Sequence, residues 1–456
     1  MSDDATASRP NILLLMSDEH RYDVAGFAGN DVIRTPFLDE LSATGVTFDN
    51  AYTPSPICIP CRQSMAVGQR PRTCGVERYG QDLPPNSMTF ARRLGQFGYE
   101  TCCAGKLHHM GPDQMQGWSR RLGMDLHIGD GFRDFEVAPP AGPDDPGIGK
   151  WSDAKEVARA GIGHGPATQD VDEYALVGAE LFTSEYFADP FYDRPQSHRP
   201  LLMMLSFVRP HYPYFTDEDR FCYYLNRVAP YYGEPVFDHP FLGSRGIDDA
   251  VSEREVRRAT AAYYGMIDEI DADYARFTDH LEHLGQDLDD WWIVYTSDHG
   301  EMLGQHGVWE KQKFFEASAR VPLVVRPPRA LRDEWQCEGR RVSDNVSLLD
   351  LFPTLCDAGS ATSPDGHALE GASLVPLMQG TSRASNEVTS EFDGHNLMIK
   401  RGPLKYQWYA RHADTPHAEV LFDLDADPAE SRNLIDEPRY AKDLLAFRAR
   451  RVELGF

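Results

Sequence analysis

Four short apolar runs in this chain each end in polar residues able to handle charge and protons. The run 12–16 leads into Ser17, Asp18, Glu19 and His20, and the run 99–104 leads into Gly105, Lys106, Leu107, His108 and His109. The run 201–206 precedes Arg209, Pro210 and His211, and 292–296 precedes Ser297, Asp298, His299 and Gly300. Carboxylates beside an imidazole can hold a divalent cation, lysine and arginine neutralise an anion, and histidine moves protons near neutral pH. A fifth segment, 58–68, reads CIPCRQSMAVG and sets Cys58 just before a helix start marked by Pro60. Free backbone N–H groups and the helix dipole favour an anion at such a place. Cys58 is therefore either an activated nucleophile or part of an anion pocket.

These groups can meet only if the runs are neighbouring strands. Short apolar runs bounded by turn residues read as buried strands, and helix signals lie between them. Thr35 is a candidate N-cap, with Pro36 at the first helical position and Gly45 as terminator. A longer helix carries Tyr263, Met266, Ile267, Ile270, Tyr274, Phe277, Leu281 and Leu284 at three- and four-residue spacing and ends at Gly285. Strand alternating with helix predicts an α/β fold, a mostly parallel sheet sandwiched by helices, whose ligands bind outside the carboxyl ends of the strands. From about residue 380 the pattern changes to short alternating runs at 396–400, 404–409 and 420–424, with a final helix near 440–454. That predicts a catalytic α/β domain over 1–379 and an α+β subdomain with a small antiparallel sheet over 380–456. Two stretches, 139 to about 170 and roughly 229–251, lack a regular pattern and are assigned to substrate choice.

The chain has 456 residues, 41 % of them hydrophobic, 11 % aromatic and 25 % charged, which fits a globular protein with a large core. A prior of about 150 residues per domain allows up to three units. Forty-five Lys and Arg against 71 Asp and Glu leave a net charge of −26. That disfavours nucleic acid and anionic membranes as partners, and any anionic substrate must be met by a local cationic pocket. The apolar runs are far shorter than the roughly 20 residues that span a bilayer, and the acidic start Ser2-Asp3-Asp4 lacks a basic leader, so a cytoplasmic location is expected. Eight cysteines are too thinly spread for a disulfide framework, and Cys58-x-x-Cys61 lacks the second pair of a four-cysteine zinc site.

Cys58-x-Pro60-x-Arg62 resembles the signature of the type I, formylglycine-dependent sulfatases of the alkaline-phosphatase-like superfamily. Further segments resemble the same family in the same order. They are 35–39 with 50–52, 105–108, 210–214, 296–300, 304–315 with Lys311, 350–354, and 421–424 followed by Asp427-Pro428 and Asn433-Leu434. Residues 111–114 and the pair Asp298-His299 look most like the branch of choline sulfatases and phosphonate monoester hydrolases. Cys61 stands where that family most often has Ser, and Glu19 where it has Asp or Gln.

The resemblance implies a sulfuric ester hydrolase that splits a small-molecule sulfate ester into alcohol and inorganic sulfate. It implies that a formylglycine-generating enzyme converts Cys58 to formylglycine, whose hydrate supplies the nucleophile. One divalent cation is implied, Ca²⁺ by the family and with Mn²⁺ left open by His299, held by Asp18, Glu19, Asp298, His299 and a hydroxyl of the matured Cys58. Arg62, Lys106 and Lys311 would line the anion pocket. His211 would protonate the leaving oxygen, and His108 would deprotonate the second geminal hydroxyl so that sulfate is expelled. A phosphonate monoester or phosphodiester hydrolase using the same pocket is the alternative. A second is an unmatured, non-catalytic anion- or metal-binding protein. A homo-oligomer is left open. Trp118, Phe132, Trp151, Tyr212 and Tyr214 are candidate rings for a quaternary ammonium.

Taken singly, each element also has a structural reading. Cys58 can be a small buried hydrophobe, Asp298-His299-Gly300 a tight turn, and Lys311 a surface lysine with Lys313 as competitor for its role. Their joint occurrence at four strand ends, in family order, favours function. His20, His109, His306 and His395 have no such support and are expected to be structural or to lie in substrate loops.

Overall fold

The structure, a computed structural model, describes residues 9–123, 154–188, 199–231, 251–383, 385–410 and 417–456. The four apolar runs form adjacent strands. Trp292–Ser297, Ile12–Asp18, Leu201–Pro210 and Glu100–Gly105 lie side by side in that order, every neighbouring pair parallel. Ser17 is opposite Ser297, Met16 opposite Ser206, and Gly105 also opposite Ser206. Residues 18, 106 and 298 therefore leave the sheet at one level. Leu323–Arg326, Val46–Tyr52 and Arg340–Ser347 extend one side, and Arg120–Leu122 the other. Leu323–Arg326 runs antiparallel to both of its neighbours, so the sheet is mostly rather than wholly parallel.

Strand periodicity explains the layers. Ile12, Leu14 and Met16 point to one face and pack with residues of the helices Cys58–Val67, Phe90–Gln96 and Leu351–Ala358. Leu13 and Leu15 point to the other face and pack with the helices Pro36–Thr44, Val171–Ala188 and Glu253–His283. All five are fully buried, at about 1.5–3 kcal/mol per large aliphatic side chain removed from water. Covering both faces is what a parallel sheet requires, because neither face can be left to solvent.

The long helix begins ten residues before its apolar pattern, at Glu253, where Ser252 and Glu255 form a capping box. Its 31 residues give it a length of about 46 Å, enough to carry Tyr263 beneath the site and Tyr274 beneath the sheet. Gly285, with φ +80°, takes the left-handed turn that ends it. Thr35 occupies the N-cap position of Pro36–Thr44, but its side chain does not cap. Asp271 of the long helix instead accepts the N–H groups of Phe37 at 3.0 Å and Leu38 at 2.9 Å, pinning the two helices together.

Part of the first patternless stretch is regular. It contains the helix Ala154–Arg159 and the strand Gly161–Ile162, which pairs with Phe215–Thr216. Residues 139–153 and 232–250 lie outside the described residues. Towards the C-terminus, Glu387–Phe392, Asn396–Arg401, Leu404–Tyr409 and Ala418–Asp423 form an antiparallel meander, the first strand being one the sequence pattern had missed. One face, with Met398, Val420 and Phe422, packs on Tyr52, Phe314 and Phe315. The other, with Leu397, Ile399 and Tyr406, is covered by Leu444 and Phe447 of the helix Ala441–Glu453. Among the described residues no helix is long and apolar enough to cross a membrane.

Candidate active site

Cys58 is the first residue of the helix Cys58–Val67, two positions earlier than Pro60 suggested. Proline is tolerated in that first turn because the N–H it lacks would have no helical partner. Gly68, left-handed at φ +65°, ends the helix. The helix thus points its N-terminus, and Cys58, at the carboxyl ends of the central strands. Cys58 Sγ lies 3.2 Å from His299 Nε2 and 3.7 Å from Asp18 Oδ1. The His299 Nδ1–H donates to the Gly300 carbonyl at 3.0 Å, which leaves the Nε2 lone pair facing the thiol. Donor atoms of Asp18, Cys58, Asp298 and His299, all buried, lie within 4.8 Å of one another. Two carboxylates and an oriented imidazole fit a divalent cation: the oxygens suit Ca²⁺, and the imidazole suits Mn²⁺.

Three cations interlock with these acids. Arg62 Nε donates to Asp298 Oδ2 at 2.7 Å, and its Nη1 donates to the Lys106 carbonyl at 2.8 Å and Ser206 Oγ at 2.9 Å. Lys106 Nζ donates to Asp18 Oδ2. Lys311 Nζ donates to Glu19 Oε2 at 2.8 Å and to His211 Nε2 at 2.6 Å. Glu19 stands apart from the four-donor group. It clusters instead with Asp18 and His211, and its backbone N–H donates to Asp298 Oδ1 at 3.1 Å. Glu19, His108 and Glu310 all hold positive φ, of 70°, 62° and 64°. Non-glycine residues adopt that region at a cost, which surrounding structure must hold in place.

Burial and charge set the protonation states. Burial alone would raise the Asp18 carboxyl, but Lys106, with Arg62 behind it, holds it well below the usual range. Burial, with Asp18 adding to it, pushes the Cys58 thiol up to about 11. Burial and then Lys311 hold His211 well below the ordinary histidine value. Burial opposes charge on Lys311, yet Glu19 raises it well above the ordinary lysine value. The pocket thus holds three fixed cations and a protonated thiol at the mouth of a helix, a place built to receive an anion.

A family model described as Sulfatase matches residues 10–361, and one described as N-sulphoglucosamine sulphohydrolase, C-terminal, matches 304–453. The chain belongs to the sulfatase family. It is 32 % identical to a choline-sulfatase of Rhizobium meliloti (strain 1021), covering 98 % of this chain and 87 % of that protein. It is 29 % identical to an arylsulfatase of Clostridium perfringens (strain 13 / Type A), covering 95 % and 91 %. In fold it is similar to the phosphonate monoester hydrolase of Agrobacterium radiobacter, with a TM-score of 0.76 and 24 % identity over 98 % of this chain and 95 % of that one. This sulfatase is therefore a sulfuric ester hydrolase, with the alkaline-phosphatase-like fold that its motif resemblance implied.

Most of the residues singled out from sequence converge. Asp18, Cys58, Arg62, Lys106, Asp298 and His299 form one hydrogen-bonded cluster, and Glu19, His211 and Lys311 form a second that touches it through Asp18. His108 lies two residues beyond Lys106, with its ring edge-to-face against Tyr79 at 5.6 Å. Of the two competing lysines, Lys311 is the one on His211. His20 is structural: its ring bonds the Tyr295 hydroxyl and the Val24 carbonyl. Of the candidate rings, Trp118 packs on Phe90 and Tyr214 on Tyr263, both almost fully buried, while Phe132 and Trp151 lie outside the described residues. Tyr212 is at the site, its ring 4.9 Å beneath Lys311 Nζ. Sequence reasoning missed Ser206, Tyr79 and Glu301. Glu301 Oε1 accepts the N–H groups of Leu303 at 2.8 Å and Glu310 at 2.6 Å, shaping the loop that presents Lys311. Its place directly after Asp298-His299-Gly300 was the available signal.

Proposed function

We propose that this sulfatase hydrolyses sulfate monoesters through formylglycine made from Cys58 and a divalent cation held by Asp18, Asp298, His299 and position 58, with Glu19 alongside. The observation that carries the reading is the placement of Cys58 at a helix N-terminus between His299 and Asp18, ringed by Arg62, Lys106 and Lys311. A thiol pushed up to about 11 is about one part in 10⁴ thiolate at pH 7, too little to serve as an ordinary cysteine nucleophile. A divalent cation held by these residues would supply Lewis acidity at the reacting centre.

The chain's own residues do the rest. Arg62, Lys106 and Lys311 grip the non-bridging oxygens by charge-assisted hydrogen bonds of about 1.5–3 kcal/mol each. His211 Nδ1–H is fixed on the Tyr212 carbonyl at 2.8 Å, so Nε2 is the atom that delivers a proton to the leaving oxygen. His108 accepts the proton of the second hydroxyl at position 58, which lets sulfate depart.

Mass spectrometry of the peptide spanning Cys58, beside kinetics on a sulfate monoester and a matched phosphonate monoester, tests this. The expected result is formylglycine at position 58, loss of turnover in Cys58→Ala, and greater kcat/KM for the sulfate. A fully active enzyme carrying only the thiol refutes the mechanism, and a preference for the phosphonate moves the assignment to a phosphorus ester.

A further inference from the structure

Resting on the sulfate-monoester reading, we propose that Tyr79 is the wall against which the leaving alcohol packs, and that it selects a neutral aromatic alcohol. Tyr79 is 45 % exposed, which among the phenylalanine, tyrosine and tryptophan rings of the described residues only Tyr174 exceeds, and its ring meets the His108 ring edge-to-face at 5.6 Å. Its hydroxyl is close enough to the pocket to feel the charges of Lys106, Lys311 and Asp18. An exposed ring beside a buried anion pocket sits where the non-reacting part of an ester must emerge. A second ring, Tyr212, has its face under Lys311.

The loop that carries Tyr79 is held from two directions. The backbone N–H groups of Glu77 and Arg78 donate to Gln81 Oε1 at 2.7 and 2.8 Å. Arg78 also reaches the first hairpin of the C-terminal sheet, pairing with Asp393 Oδ1 at 3.1 Å and donating to His395 Nε2 at 2.9 Å. The hairpin thereby fixes the height of the ring over the pocket, and His395 acquires a role that its sequence context did not reveal.

The choice of a neutral alcohol follows from the charges. Among the described residues, the carboxylates around this loop are engaged: Asp393 with Arg78, Glu77 with Arg72, and Asp82 with His109 and the Gly111 N–H. The nearest pocket cations, Lys106 and Lys311, repel a positive leaving group. A flat, uncharged ring can stack on tyrosine without either cost.

The test measures kcat/KM for phenyl sulfate, ethyl sulfate and choline sulfate in the wild type, Tyr79→Ala, Tyr79→Phe and Arg78→Ala. Comparing variants cancels the intrinsic reactivity of each ester. Tyr79→Ala is expected to lower the phenyl-over-ethyl preference about tenfold, mainly through KM. Tyr79→Phe should keep that preference, and Arg78→Ala should reduce it with no further loss when added to Tyr79→Ala. Equal losses on phenyl and ethyl sulfate would make Tyr79 a support for His108 and overturn the proposal. A larger loss on choline sulfate than on phenyl sulfate would make the wall a cation binder and also overturn it. A wild type that hydrolyses none of the three esters would instead refute the sulfate-monoester reading beneath it.

Discussion

Replacing His211 by alanine should cost most where the leaving group is poorest. In the free enzyme His211 is neutral at pH 7, because burial and the Lys311 ammonium both oppose its protonation. With Nδ1–H given to the Tyr212 carbonyl, Nε2 carries a lone pair and accepts from Lys311 at 2.6 Å. A bound anionic ester draws Lys311 towards its sulfate oxygens and favours the charged imidazole, so the proton that reaches the leaving oxygen is one taken up at Nε2 from solvent. General acid catalysis is worth about 10²- to 10⁴-fold. That full loss is expected for alkyl sulfates, whose alkoxides need the proton, and only a small fraction of it for 4-nitrophenyl sulfate, whose phenoxide does not. The Lys311–His211 bond, charge-assisted and buried, should couple by about 1.5–3 kcal/mol, or roughly 10- to 150-fold, in a double-mutant cycle with Lys311→Met. The assay is kcat/KM across a series of substituted phenyl and alkyl sulfates, plotted against leaving-group pKa for the wild type and the three variants. His211→Ala should steepen the slope, and the double variant should be no steeper. The wild-type profile should show no limb at the ordinary histidine value of about 6.5. Parallel lines, with good and poor leaving groups slowed alike, would refute the acid role and leave His211 as a binding residue.

Two further outcomes follow from the buried charges. Asp298→Asn should weaken divalent-ion binding at least tenfold by calorimetry, because Asp298 is both a donor of the four-residue group and the anchor of Arg62 at 2.7 Å; wild-type protein should also melt higher with the ion, by about 2.7 kcal/mol at 100 times Kd, and a melting temperature indifferent to chelator would count against the site. Burial holds His20 neutral by lowering it from 6.5 to about 4, so between those values the unfolded chain binds a proton that the folded one does not, and stability should fall by about 3 kcal/mol as pH drops through that window; denaturant midpoints of His20→Gln that decline as steeply as the wild type would contradict this.

The strands were legible because their chemistry is one-dimensional. Residues 12–16 are apolar at every position, as a strand covered on both faces must be, and the polar residues that follow mark where it leaves the sheet. The same logic found 99–104, 201–206 and 292–296. It failed for Leu323–Arg326, whose apolar run of three carries no sign of direction, and for Glu387–Phe392, whose inward positions include Ser390. Ser390 is a small polar residue that the alternation of apolar and polar cannot tell from a loop. The first ten residues of Glu253–His283 were missed because they are mostly charged or small, although Ser252 with Glu255 three residues on was the readable signature of its start.

The site divides along the same line. Residues placed by their own strand end, such as Asp18, Lys106 and Asp298, could be found from the runs. Lys311 could not, because it reaches His211 through a loop shaped by Glu301, and only the family motif singled it out from Lys313. Tyr79 depended on still more distant contacts, since a hairpin more than 300 residues away in sequence holds its loop through Arg78. The C-terminal sheet is locked to the rest by a buried ion cluster in which Lys405 bonds Glu316 at 2.9 Å and Glu430 at 2.8 Å. Removing one partner from such a cluster costs about 3–5 kcal/mol, because the others are left buried and uncompensated. The rigidity of that junction is what allows Arg78 to hold Tyr79 at a fixed height. Reaction chemistry in this sulfatase is thus written at strand ends and readable locally, whereas the fit of the leaving group depends on how two sheets dock, which no local pattern records.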